Sequence, residues 1–329
     1  FNLGIDLGFL ENRINVAMDV YTRDNHDLIG TTRTQGVGGE IAKFANIASM
    51  KSHGFELSVS SNNIKTKDFS WNTDFIYSIY KNEVTDLNAI ATTMDYVSGT
   101  GFTMVGYPHR GLFSIPFAGL DSNGIPMFYN EKGEITSTDL SFQSSDDFSW
   151  LKYEGPTEPT FTGSLGNSFT YKNVHLNVFF TYSGGNVVRL DPVFSYRYSD
   201  LTATTREFKN RWMVPGDENR TNVPTILSYR QYYENAELRN AYSAYNYSTE
   251  RVAKGGFIRL KEISVAYDFP KKWLSALKVS NVSLKLQATN LCLLYADKKL
   301  NGQDPEFVNS GGVASPVPRQ FTMTLRLGL

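Results

Sequence analysis

The chain has 329 residues, 41% of them apolar, with 32 Lys and Arg against 33 Asp and Glu for a formal charge of -1. That much apolar material excludes wholesale disorder, and the balanced charge excludes recruitment of nucleic acid or anionic lipid by bulk electrostatics. No apolar run approaches the roughly 18 residues of a spanning helix, so any crossing of a bilayer must use strands.

Aromatic residues make up 14% of the chain, 22 Phe, 19 Tyr and 4 Trp, a supply that suits strands and the rings at a membrane boundary. Alternation of apolar and polar residues marks a strand with one dry and one wet face. In the first pair Leu3, Ile5, Leu7 and Phe9 alternate with polar or small neighbours, as do Ile14, Val16, Met18 and Val20. The second pair carries Phe55, Leu57 and Val59, then Phe69, Trp71, Phe75, Tyr77 and Ile79. The third runs over 161–171 and 174–183 and turns at Lys172-Asn173; Val174, Leu176, Val178, Phe180 and Tyr182 share one face, and His175, Asn177 and Thr181 the other. The fourth covers 257–269 and 279–289, broken at Pro270. A ninth strand closes the chain with Phe321, Met323, Leu325, Leu327 and Leu329 on one side.

Short turns inside each pair alternate with long connections over 22–47, 81–160, 184–256 and 290–319. Compact soluble domains rarely show this, whereas an outer-membrane barrel has short periplasmic turns and long extracellular loops. The strands approach the ten residues that a tilted strand needs to cross the hydrocarbon. Asp6, Asp19, Glu56, Asp74, Lys285 and Arg326 all fall on the wet side, away from lipid, where a mid-membrane cation costs about 2–4 kcal/mol. The pattern therefore predicts an all-β fold, a portion of an antiparallel transmembrane β-barrel. About nine strands is an odd number, and bacterial barrels close with an even one. Further strands are expected before Phe1, and Leu329 is expected in the periplasm.

Several segments carry a family resemblance. The segment 46–87 holds a Gly-Phe-Glu strand (Gly54, Phe55, Glu56), a polar turn and an F-x-W strand (Phe69, Trp71); 106–134 holds a G-L-D, G-x-P and N-x-x-G-E series; 211–224 reads R-W-x-x-P-G-D-E. The strand over 257–274, Asn290-Leu291, Asp304-Pro305-Glu306 and Pro318-Arg319-Gln320-Phe321-Thr322 complete the order. With these motifs the chain resembles the carboxy-terminal barrel of SusC/RagA-like, TonB-dependent outer-membrane transporters. It departs from them in ending at Leu329 rather than an aromatic and in Cys292-Leu293-Leu294 after Asn290-Leu291. The resemblance implies the last strands of a roughly 22-stranded plugged barrel, a SusD-like lipoprotein lid, energy from a TonB complex through a region ahead of Phe1, and import of an oligosaccharide or peptide.

No catalytic or metal constellation is expected, and no cofactor. His26, His53, His109 and His175 are scattered without ligand spacing; Asp121–Gly124 reads as a turn rather than a calcium loop; Gly36, Gly38 and Gly39 lack a strand-to-helix frame. Cys292 reads as an inert packed thiol. Tyrosines cluster at Tyr229, Tyr232, Tyr233, Tyr242, Tyr245 and Tyr247. Their faces and hydroxyls suit a sugar, a peptide or a protein lid. Most are expected to pack the loop on itself, leaving Tyr229, Tyr232, Tyr233 and Tyr245, with Arg211 and Trp212, as candidate substrate or lid contacts. Asn15, Asp19, Glu56, Asp74, His175, Asn177, Lys285 and Gln287 are expected to face the lumen, for hydration and contact with plug or substrate.

Overall fold

The computed structural model describes residues 1–34, 36–89, 91–143, 147–193, 204–274, 279–308 and 316–328; Leu329 lies outside them. The chain opens with β1 (Asn2–Phe9), β2 (Ile14–Arg33), β3 (Ala42–Lys65) and β4 (Phe69–Leu87). A first excursion carries α1 (Thr93–Val97), β5 (Gly111–Ser114), β6 (Phe117–Leu120), β7 (Pro126–Tyr129), β8 (Ile135–Thr136) and β9 (Lys152–Pro156). After β10 (Phe161–Tyr171) and β11 (Val174–Gly184) a second holds β12 (Val187–Arg189), α2 (Tyr229–Glu234), α3 (Ala236–Asn246) and β13 (Val252–Lys254). Then come β14 (Phe257–Asp268), α4 (Lys271–Leu274), β15 (Asn281–Tyr295) and β16 (Gln320–Gly328).

Nine strands form one antiparallel wall in the order β1-β2-β3-β4-β10-β11-β14-β15-β16. Directly paired residues share a face, so register decides which side chains line up. One row reads Leu7, Val16, Val59, Phe75, Leu165, Phe180, Leu260 and Cys292. A row on the opposite face reads Asn72, Ser168, Asn177, Ser264, Gln287 and Thr322. Bulges between Leu260 and Glu262 and between Asn62 and Ile64 re-aim strands without exchanging the faces. Ile76 and Phe179 are apolar residues set in the polar face.

Among the described residues, no second layer of protein covers the apolar face. The main hydrophobic core is built from residues of the excursions, among them Tyr96, Val97, Phe113, Ile115, Phe128, Phe208 and Tyr245, and includes no residue of the nine-stranded wall. Leu3, Ile5, Leu7, Val20, Val265, Leu286, Met323 and Leu327 are all large, apolar and exposed. A water-soluble sandwich would bury these rows against a second sheet. A contiguous apolar face of this extent calls for a bilayer.

Aromatics gather at the short-turn end of that face. Trp71 stacks on Phe169 at 5.7 Å, and Tyr267, Phe269 and Trp273 follow at 5.1 and 6.3 Å, forming one girdle. Trp71 also covers a small polar ladder in the apolar face. Its Nε1 donates to Asn167 Oδ1 (2.9 Å), which also accepts from Thr73 Oγ1 (2.8 Å), while Asn63 Nδ2 donates to Thr73 (2.7 Å). The ladder satisfies itself, as polar groups facing hydrocarbon must. Further up the wall Tyr182 lies over Gly163 and donates to the Ile76 carbonyl at 2.9 Å; any side chain at position 163 would displace it.

Two sequence expectations need correction. The connection 22–47 is not a long loop, because β2 continues to Arg33 and β3 begins at Ala42, making a paired arm beyond the membrane level. Outside the bilayer both faces are wet, so Thr22, Arg23, Asp24 and Asn25 keep the ladder while erasing the alternation that advertises it. Cys292 is exposed rather than packed, because its register places it on the apolar face opposite Leu260.

Candidate functional site

The excursions fold into a body of their own at the long-connection end. Tyr96, on α1, is its hub, with ring contacts to Phe102 (5.2 Å), Phe113 (5.4 Å) and Phe148 (4.5 Å). Helix α1 starts at a capping box in which Asp95 Oδ2 accepts from the Thr92 backbone N–H (2.8 Å) and hydroxyl (2.9 Å). Arg189, 7% exposed, ties three segments together. Its guanidinium donates to the Ser114 hydroxyl and to the carbonyls of Ser248, Val97 and Phe113 at 2.7–3.2 Å. Burial lowers its pKa to about 10, with Glu154 opposing that shift.

The family motifs turn out to be loop-shaping devices. Asp121 Oδ1 accepts from the Asn123 and Ile125 N–H groups (2.9 and 2.7 Å), and Asn130 Oδ1 accepts likewise from Lys132 and Glu134 (3.0 and 2.9 Å). Gly124 has φ +76°, and the Trp212 ring rests where a Cβ would stand. Trp212 Nε1 donates to Glu218 Oε2 (3.0 Å), which also accepts from Gly216 N–H (2.8 Å), while Asp217 accepts from Met213 and Val214 N–H (3.0 and 3.1 Å). These bonds hold both carboxyls below their usual range: Asp217 mainly through Val214 N–H, Glu218 mainly through Trp212. Arg211 stacks over Phe208 at 4.7 Å. Arg211 and Trp212 thus brace the loop, and Met213 and Val214 are its exposed tip. Asp304 and Glu306 grip Arg259 of β14 at 2.6–2.7 Å, closing the loop after β15 onto the wall.

The tyrosine cluster divides. Ser228 and Asn235 cap α2 and α3. Tyr242 and Tyr245 turn inward: Tyr242 donates to the Thr225 carbonyl at 2.6 Å, and Tyr245 packs edge-on against Phe117 at 5.7 Å. Desolvation raises both hydroxyls well above the ordinary tyrosine range. Tyr245, 2% exposed, therefore lies out of reach of a ligand in this conformation. Tyr229 and Tyr233 point outward as a ring pair 4.3 Å apart, exposed by 73% and 50%, with half-buried Tyr232 beside them.

All eight residues expected at the lumen lie on the polar face. Asp19 stands opposite Glu56, and Asp74 accepts from Ser60 Oγ at 2.8 Å. Asn177 accepts from Ser168 at 3.1 Å, Lys285 lies 3.8 Å from Glu262, and Gln287 is paired with Ser264. Asn15 donates to the Asn12 carbonyl. His175 bridges Thr170 (3.1 Å) and Asp268 (2.9 Å) at the short-turn end. Among the described residues no group of His, Cys, Asp and Glu has the makings of a metal site.

One feature escaped the sequence reading. A cavity of about 310 Å³ lies between the segments flanking β12 and β13 and the loop after β15. Arg251, 3% exposed, reaches Glu207 and the Asp191 carbonyl; Asn301 donates to Glu207 (2.9 Å) and Gln303 to Asp191 (2.8 Å). These residues lie in four separated stretches of no periodic pattern, so nothing in their spacing marks them.

No family model matches the chain. It is 26% identical over 330 aligned residues to TonB-dependent receptor P3 of Formosa agariphila, covering 93% of this chain and 30% of that protein. It is 27% identical over 361 to TonB-dependent receptor SusC of Bacteroides thetaiotaomicron, covering all of this chain and 31% of that protein. Among solved structures, the RagAB peptide transporter superposes with a TM-score of 0.74 at 20% identity over 99% of this chain and 34% of the matched chain. The chain thus spans about a third of the length of the relatives it matches. In sequence and in fold it corresponds to the carboxy-terminal, outer-membrane barrel portion of SusC/RagA-type TonB-dependent receptors.

Proposed function

We propose that this chain is the closing wall and outer loop body of an importer that takes a large nutrient, an oligosaccharide or a peptide, across the outer membrane with energy from TonB. The observation that carries this reading is a wall with one bare apolar face and one continuous polar face, topped by a folded outer body. Lipid covers the first face, and a plug domain of the same protein fills the space behind the second. A SusD-like surface lipoprotein closes over the outer body. The exposed pair Tyr229 and Tyr233, with Tyr232 beside it and the tip at Met213 and Val214, supplies contacts for lid or substrate, since exposed aromatic and apolar groups on a braced loop lose little entropy on binding. The polar residues from Asn15 to Gln287 keep the lumen hydrated and meet the plug. RagAB is a peptide transporter and the SusC receptor shares this portion of sequence, so both substrate classes stay in the proposal.

The test is uptake by cells carrying the full-length protein, with and without a working TonB. The protein should fractionate with the outer membrane, migrate differently on gels before and after boiling, and support growth on its nutrient only when TonB is present. Uptake that persists without TonB would make the barrel a passive porin and defeat the proposal.

A further inference from the structure

The cavity beside Arg251 has an imbalance of hydrogen-bonding capacity that identifies what it takes. Glu207 is used at both oxygens, by Arg251 and by Asn301, and Asp191 accepts from Gln303. The donors around it are not used up. Among the described residues, Arg251 Nε and Thr205 Oγ1 are buried without a hydrogen-bond partner, although buried polar groups are normally paired. Thr205 sits at the start of a short helix, yet its side chain caps nothing. Arg206, exposed at the rim, makes no hydrogen bond or ion pair among the described residues, and Lys299 spends its ammonium on one long bond to the Val252 carbonyl at 3.4 Å. Three cations thus line the cavity against two carboxylates.

We propose that this cavity binds an oxyanion, a carboxylate or sulfate group borne by the imported molecule; this rests on the import reading above. Arg206 would close over it from the rim as a charge-assisted fork, and Thr205 O–H and Arg251 Nε–H, both closed off from solvent in this conformation, would reach its oxygens once the side chains around them part. A volume of about 310 Å³ is at the small end of ligand cavities. It fits one acidic unit of a longer chain, such as a uronic acid, a sulfated sugar or a peptide end, while the rest of the substrate lies outside.

The test is calorimetric titration of the full-length protein in detergent with four probes: glucuronate, sulfate, Ala-Ala with a free carboxyl, and neutral glucose. The acidic probe matching the substrate should bind and glucose should not; which acidic probe binds identifies the source of the anion. Arg206→Ala should weaken that binding roughly tenfold, and Thr205→Val by several fold. Arg206 is exposed and unpaired, so its replacement leaves the fold intact, and an unchanged boiling shift confirms this for Thr205→Val. Failure of all three acidic probes at millimolar concentration, equal binding of glucose, or unchanged affinity in both variants would overturn the proposal. Anion binding is read without TonB, so its loss with uptake intact refutes only the cavity, and TonB-independent uptake with binding intact refutes only the import mechanism.

Discussion

Leu165 and Ser164 are neighbours on β10 that point to opposite faces of the wall, and a charge placed at each in turn separates lipid from water. Leu165 lies six residues from Tyr171, the exposed aromatic that ends β10 on the same face as the girdle. At about 3.3 Å per residue and a strand tilt near 40°, that is roughly 15 Å above Tyr171, close to the middle of an apolar band about 25 Å tall. Leu165→Arg should therefore cost about 2–4 kcal/mol, while Ser164→Arg, on the polar row with Thr181, should cost under about 1 kcal/mol. Folding of the full-length barrel into vesicles, followed by its gel shift across a urea series, reads the difference. Leu165→Arg should lower the midpoint clearly and Ser164→Arg should leave it nearly in place. Equal effects, or a larger loss at Ser164, would refute the assignment of faces.

Gly163→Ala should cost about 1–3 kcal/mol by overpacking, because the Ile76 carbonyl oxygen and the Tyr182 hydroxyl both occupy that space; adding Tyr182→Ala should recover only part of the Gly163→Ala penalty, since the carbonyl stays, and a purely additive pair in the same urea assay would count against this packing. Arg189→Met should loosen the outer body by about 3 kcal/mol or more, since four acceptors lose a charged donor together. Limited proteolysis of intact cells should then cut within 88–160, and unchanged resistance would contradict the staple. The pH response of the 211–218 loop follows from the lowered pKa values of Asp217 and Glu218. Groups depressed in the folded state stabilise it above their unfolded values, and lose that contribution as pH falls through the folded ones. Fluorescence assigned to Trp212 by difference from Trp212→Phe should stay constant down to about pH 4 and change below it, and a transition near pH 6 would contradict this.

The wall was legible because a bilayer on one side and water on the other impose a two-residue period, which Val174 to Tyr182 and Phe321 to Leu327 display openly. Pairing followed from that period and from turns such as Lys172-Asn173, where Lys172 takes the left-handed conformation at φ +53°. The arm over 22–47 was hidden because strands wet on both faces keep their backbone ladder but lose the pattern. The outer body was hidden for another reason. Its core joins Tyr96, Phe128, Phe208 and Tyr245 from distant parts of the chain, and strands and helices this short, α3 at 11 residues being the longest helix described there, leave little periodic trace. The motif residues Trp212, Glu218, Asp304 and Glu306 stood out, yet the reason for each became visible only with its partner: Gly124 beneath the indole, Arg259 between the carboxylates. The tyrosines could not be sorted from composition, because inward Tyr245 and outward Tyr233 differ only in what the helices pack against.

Spin labels walked along β11, with Cys292 first replaced by Ser, test most directly whether lipid covers the apolar rows. Labels at Val174, Leu176, Val178 and Phe180 should collide with lipid-soluble oxygen, and labels at His175, Asn177 and Thr181 with a water-soluble nickel complex, giving a two-residue oscillation through the strand. A flat profile, or nickel reaching both sets equally, would mean that no bilayer lies against this wall.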